Sequence, residues 1–174
     1  MNAVMNDPDV RDRETRIVDT LAMLTTQGID VWVATASAAG DPYLVPVSLA
    51  WVDGRAVIAV AKSSPTAVNL TASGVARLAV GPTRDVVMID AVLEDVGDVA
   101  AAEGLVSAYI AQADWDPRDD PGYMFLVLRP ARIQAWREAN EIPGRTLMRD
   151  GAWLTQSTSE PDGNGGREGG SSSR

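Results

Sequence analysis

The chain contains no cysteine and no histidine, and Lys62 is the one lysine among its 15 basic residues. Without cysteine there is no disulfide, no thiolate metal site and no thiol nucleophile. Without histidine the usual zinc and haem ligand is missing, and so is the commonest general base near neutral pH. A serine–histidine hydrolase therefore cannot be assembled from this chain alone. An enzyme with this inventory takes its chemistry from a bound cofactor. Positive charge is also in short supply, with a formal net charge of −9. Neither a sequence-independent nucleic-acid face nor docking on anionic membranes is expected. No apolar run is long enough to span a bilayer. The first residues, MNAVMNDPDVRDRETR, are polar and acidic and lack a signal-peptide core, so the cytoplasm is the expected compartment.

What is present is a globular composition. The chain has 174 residues, 45% of them apolar, which suffices for one domain with a sizeable core. Residues 8 to about 27 read as a helix, with Asp7 as cap, Pro8 in the first turn and Gly28 at the end. Ile17, Val18, Leu21 and Leu24 share one face of it. IDVWVATAS and YLVPVSLAWV follow as strands, separated by a turn at AAGDP. Asp53-Gly54 is a tight-hairpin signal that leads into RAVIAVA. SPTAVNLTASG is a short helix, with Ser64 as N-cap, Pro65 first and Gly74 just past the end. VARLAVG and RDVVMIDAVLEDV are further strands. DVAAAEGLVSAYIAQA is a helix capped by Asp98, with Val99, Leu105, Val106, Tyr109 and Ile110 as its buried face. YMFLVLRPARIQAW is the sixth strand, bent or placed at an edge by Pro130. A small hairpin is expected at Asp150-Gly151. Residues 155–174 read as a disordered Gly/Ser-rich tail. Meander hairpins with few helices imply a mainly β (α+β) domain over residues 1–154, a barrel of about six antiparallel strands with flanking helices.

The lone lysine stands before Ser63, Ser64, Pro65 and Thr66. A helix N-terminus presents unpaired N–H groups and a partial positive charge. Three hydroxyls and an ammonium beside it make a phosphate cradle. The local sequence is equally that of an ordinary capped helix with a surface lysine, and capping serines are common.

Four stretches carry a resemblance: AKSSPTAVNLTASGVARLAVG, TRDVVMIDAVLEDV, IQAWREANEIPGR and VPVSLAW. In this order they resemble the pyridoxamine 5'-phosphate oxidase-like, flavin-reductase-like split-barrel family, over residues 16 to about 154. Members are dimers; many bind FMN and some the deazaflavin coenzyme F-420. The resemblance implies that Lys62, Ser64 and Thr66 contact the phosphate and that Asn69 braces the loop. It places Arg84 and Asp85 where family side chains reach the flavin across the dimer interface, with Asp85 lacking the amide donor of the family's glutamine. Trp136 and Arg145 fit the spacing of a C-terminal tryptophan and arginine. Val47 and Ser48 are expected along the edge of the flavin ring. Two departures matter. Ser-Pro-Thr replaces the Ser-Arg-Lys of true pyridoxamine phosphate oxidases, and their substrate-binding arginine–histidine pair cannot be formed. Vitamin B6 oxidation is therefore not expected, nor is haem degradation that uses histidine.

Other features are weaker. Trp32, Trp51, Trp115 and Trp153 read as core or interface. The loop DWDPRDDPG has four aspartates but lacks the glycine and distal glutamate of a calcium loop, so a solvated turn is expected rather than a metal site. DGNGGREGG in the tail has neither the strand before it nor the helix after it that a dinucleotide fingerprint requires. Arg137, Glu138 and Glu141 read as surface ion pairs of little value. The expectation is a homodimeric, FMN-binding oxidoreductase acting on a small molecule, in which the flavin transfers hydride and no side chain serves as acid or base. The alternatives are an F-420-dependent reductase of the same fold and a non-catalytic flavin-binding or sensing module.

Overall fold

The computed structural model describes residues 10–99 and 103–154. Helix α1 (Arg13–Leu24) comes first, capped by Asp12, whose carboxylate accepts the Thr15 N–H at 2.7 Å. This is later than the sequence suggests, because Val10 and Arg11 are not helical. The expected cap Asp7 and first-turn Pro8 lie outside the described residues. The buried stripe of α1 is Arg16, Thr20 and Leu24, while Val18 is exposed and Ile17 only partly buried.

Strands β1 (Asp30–Ala36), β2 (Pro42–Val52) and β3 (Arg55–Ala61) form the expected meander. Asp53 and Gly54 both have positive φ, the backbone twist a two-residue hairpin needs. Helix α2 (Pro65–Ser73) starts at Pro65, with the Ser64 hydroxyl accepting the Ala67 N–H at 3.2 Å, and stops at Gly74 in the left-handed region. Then come β4 (Val75–Val80), β5 (Val86–Asp98), helix α3 (Glu103–Ala113), β6 (Tyr123–Trp136), β7 (Thr146–Arg149) and β8 (Ala152–Trp153). Asp98 does not begin a helix; it ends β5 opposite Met124. The expected Gly/Ser-rich tail lies outside the described residues.

The strands pair antiparallel in the order β3-β2-β1-β4-β5-β6, and β6 returns to β3, closing a six-stranded barrel. β7 and β8 extend the sheet beyond β6. Val33, Ile58, Leu78, Ile89, Leu126 and Ile133 point inward and are fully buried. A second apolar layer forms outside the barrel, where Val106 and Tyr109 of α3 meet Ala50, Val57 and Phe125. RAVIAVA is continuously apolar because α3 covers its outer face and the barrel its inner face.

Two departures from a regular barrel position everything that follows. β2 pairs with β1 over Pro42–Ser48, but with β3 only over Leu49–Val52. The two strands therefore diverge, and α2 packs across the gap against β1, β2 and β3. The second departure is at Pro130. β6 pairs with β3 through Leu128 and with β7 from Arg132, and Pro130 sits between, next to a bulge opposite Asp90 and Ala91. A residue without an N–H belongs where a strand changes partners. Among the described residues, no helix covers the outer face of β1, β4, β5 and the second half of β6. Trp32 is 48% exposed there and Leu44 60%.

Gly81 joins β4 to the turn before β5 at φ +88°, and a Cβ would lie 2.4 Å from the Asp85 carbonyl oxygen and 2.8 Å from Met23 Sδ. Gly81→Ala is expected to lower stability by about 1–3 kcal/mol or more, read from the midpoint of urea unfolding. An unchanged midpoint would show that the turn can move away.

Candidate functional site

The ten residues singled out in the sequence fall into two groups. The first gathers at the β2–β3 gap. Val47 and Ser48 stand where β2 leaves β3. The Val47 side chain packs on the barrel core, and the Ser48 hydroxyl donates to Asp30 at 3.2 Å. Lys62 follows β3 directly; its side chain is 46% exposed and Nζ donates to the Pro121 carbonyl at 3.0 Å, with an Asp98 carboxylate oxygen at 3.8 Å. Ser64 is spent in part on its cap. Thr66 is buried in the first turn of α2. Asn69, expected to brace the loop, ties α2 to the barrel instead, donating to Thr35 Oγ1 on β1 at 3.1 Å in a buried bond. The first turn of α2 carries no acidic residue, so nothing there opposes an anion at the helix end.

The second group lies at the end of β6, on the uncovered face. Trp136 is opposite Val86. The Arg145 guanidinium carbon lies 5.7 Å from the centre of the Trp136 ring, within cation–π range. Both line a concavity of about 370 Å³ with Arg77, Met88, Gln134 and Ile142. A more apolar hollow of about 360 Å³ adjoins it, sharing Arg77 and Met88 and reaching Trp32, Ala34 and Leu44. Arg84 and Asp85 precede β5, in the turn from Pro82, rather than opening the strand. Arg84 is 80% exposed and bonds Glu138 at 3.3 Å. Asp85 is held by Arg137 Nε at 3.0 Å. Neither cavity contains Lys62, Ser64, Thr66 or Asn69.

Sequence reading missed Arg77, Met88, Gln134 and Ile142. The signal available was strand alternation: Arg77 and Met88 fall on the outward positions of VARLAVG and DVVMID. Across the same face, Arg77, Asp90, Arg132 and Arg149 stand in one register row. Burial alone would raise the Asp90 pKa, but hydrogen bonds from Arg77 at 2.7 Å and Arg132 at 2.6 Å outweigh it and hold the carboxyl below its usual range.

Glu141 overturns an expectation. It is not a surface charge but 3% exposed. Its carboxylate accepts Arg11 Nη2 at 2.7 Å, Arg11 Nε at 2.9 Å, and the Arg11 and Arg137 backbone N–H groups. These bonds, led by Arg11, pull its pKa down to about 2. A carboxylate whose pKa falls on folding stabilises the native state above its unfolded pKa and loses that effect as pH drops through the folded value. The stability difference between wild type and Glu141→Gln should therefore be constant near neutrality, shrink below about pH 4.5 and lose the rest of its pH-dependent part as pH falls through about 2. Urea titrations at several pH values would read it, and a pH-independent difference would contradict the assignment.

The comparisons with known proteins follow this geometry. The family model described as pyridoxamine 5'-phosphate oxidase matches residues 22–137. No curated protein matches the chain in sequence. Among solved structures, an "F420 Reductase" is 18% identical with a TM-score of 0.53, over 63% of this chain and 92% of that one. A heme binding protein from Mycobacterium smegmatis is 21% identical with a TM-score of 0.56, over 82% of this chain and 60% of that one. General Stress Protein 26 from Bacillus anthracis is 13% identical with a TM-score of 0.51, over 71% and 92%. Identities this low establish a shared fold and nothing finer. The family match spans most of the barrel and includes both residue groups except Arg145, and on that ground the chain belongs to the pyridoxamine 5'-phosphate oxidase family.

Proposed function

We propose that the protein is an FMN-binding oxidoreductase that works as a homodimer on a small molecule. The observation that carries the reading is the Trp136–Arg145 pair: an aromatic ring and a guanidinium lining one concavity on an uncovered face. Arg145 has no carboxylate within ion-pair distance among the described residues, so its charge is available to a ligand.

The residues present fit the chemistry of such a group. Lys62, Ser64 and the N-terminal end of α2 suit a phosphate, and the helix end carries no competing acid. Lys62 would turn from Pro121 and Asp98 to reach it. Trp136 and Arg145 suit a planar ring system with anionic character. The two groups share neither of the cavities described above, which supports reading a site that uses both as built from two copies. The uncovered face with Trp32 and Leu44 is where a second copy would lie. When bound, FMN supplies hydride transfer; the chain's own residues bind it, orient it and keep water from one side. The exposed Arg84 and the partly buried Asp85 would stand near the rim of the two-chain site.

The arginine row supports a second reading. Arg77, which lines the Trp136 concavity, and Arg132 and Arg149 in the same row leave a surplus of positive charge over Asp90, the shared partner of Arg77 and Arg132, which would suit the polyanionic tail of coenzyme F-420, and an F-420 reductase is among the fold relatives. The absence of histidine keeps haem degradation that uses it out of consideration.

The test is an absorbance spectrum of the purified protein, followed by mass spectrometry of whatever heat releases and titration with each cofactor. FMN binding is expected, with Lys62→Ala weakening it at least about tenfold. Binding of the deazaflavin alone would favour the second reading. Bound flavin without turnover against reduced nicotinamides or quinones would favour a storage or sensing module. A cofactor-loaded monomer in sedimentation would contradict the two-chain site.

A further inference from the structure

We propose that Arg11, Arg16 and Glu141 form a positioning clamp that sets Arg145 over the Trp136 ring, so that the segment before α1 controls ligand binding at the barrel's uncovered face. The proposal rests on the reading of Trp136 and Arg145 as ligand residues. All three clamp residues, and Arg145 itself, lie outside the residues matched by the family model, so the device belongs to the flanking segments of this chain.

The clamp is a closed ring of bonds. Arg16 is buried within α1; its Nε donates to the Arg11 carbonyl at 3.0 Å and its Nη1 to the Glu141 carbonyl at 3.1 Å. Arg11 in turn holds the Glu141 carboxylate with its backbone N–H and two guanidinium nitrogens. Two arginines thus grip one residue by its side chain and by its backbone. The chain separation is 130 residues on one arm and 125 on the other. The Arg137 N–H completes the carboxylate's partners.

From Glu141 the path to the ligand residues is short. Ile142, the next residue, lines the concavity. Its carbonyl accepts the Arg145 N–H at 3.3 Å and the Arg145 Nη1 at 3.4 Å. The Arg145 carbonyl accepts the N–H of Ala135, which neighbours Trp136, at 2.9 Å. Among the described residues the hydrogen bonds of Arg145 are to backbone groups: the Ile142 carbonyl, which follows the clamped Glu141, and the Ala135 N–H of β6. Apolar residues could bury this joint with equal or better stability, since desolvating charges is expensive. What a forked guanidinium–carboxylate contact adds is direction. A carboxylate bonded directly to Arg145 would have aimed it too, but at the expense of its charge.

The experiment uses the full chain and two readouts. In the first, iodide quenching of tryptophan emission is measured without cofactor, and the Trp136 share is isolated by subtracting the same variant carrying Trp136→Phe. A guanidinium beside the ring draws iodide to it. Arg11→Met and Glu141→Gln, with native circular dichroism, are expected to lower that share to the level of Arg145→Gln. In the second, FMN affinity is placed in a double-mutant cycle. Arg11→Met is expected to weaken binding about tenfold in the wild-type background and about onefold in Arg145→Gln. Additive losses, or a folded Arg11→Met protein with unchanged iodide quenching, would overturn the clamp. If Arg11→Met does not fold, Arg16→Gln removes the second arm and carries the same expectations. If the wild type binds no FMN, the reading of the site fails, while iodide quenching still decides the clamp.

Discussion

Strand β6 has to satisfy three neighbours, and the molecule is arranged around how it does so. Its 14 residues pair with β5 along almost their whole length. On the other edge the first half closes the barrel against β3 and the second half leaves it for β7. One strand thus belongs to the barrel at its start and to a side ribbon at its end. Trp136 stands at the far end of that ribbon half and faces outward because it alternates with the inward, buried Ile133 and Ala135. Residues after Trp136 turn back through Arg145 to begin β7, so ring and guanidinium meet across a single connection.

The two groups of candidate residues are products of the same topology seen from opposite ends. Where β2 and β3 diverge, a gap opens that a short helix covers, and the strand-to-helix corner carries the ammonium and hydroxyls. Where β6 leaves β3, a free face opens that carries the aromatic and guanidinium groups. One face of the barrel is sealed by α3 and its buried Tyr109 and Phe125; the other keeps Trp32 and Leu44 exposed.

Much of this was legible in the sequence because it is local. The alternation in YLVPVSLAWV, the Asp-Gly turn and the Ser-Pro start with its terminal glycine each prescribe backbone geometry within a few residues, and β1 to β4 follow them. The nine-residue spacing of Trp136 and Arg145 was readable because it is a single turn-back of the chain. What could not be read were features decided by distant partners. Asp7-Pro8 and Asp12 offer comparable helix starts. Arg11 is held by Glu141 and is not helical, and α1 begins after the extended cap at Asp12. For the same reason Arg16, a charge, takes the buried stripe while Val18 is exposed. Glu141 in REANEIPG has nothing local to distinguish it from Glu138, which does lie at the surface. Asp98 has the chemistry of a cap but is drawn into β5 by pairing with Met124.

Lys62 has one more consequence. It is the one lysine in this sequence, whose other basic side chains are guanidiniums, and its side chain is half exposed beside the β2–β3 gap. Reagents that acylate amines therefore meet a single internal address. A dye or isotopic tag coupled there would sit at one corner of one helix, turning a scarcity in composition into a fixed reporter of whatever approaches that corner.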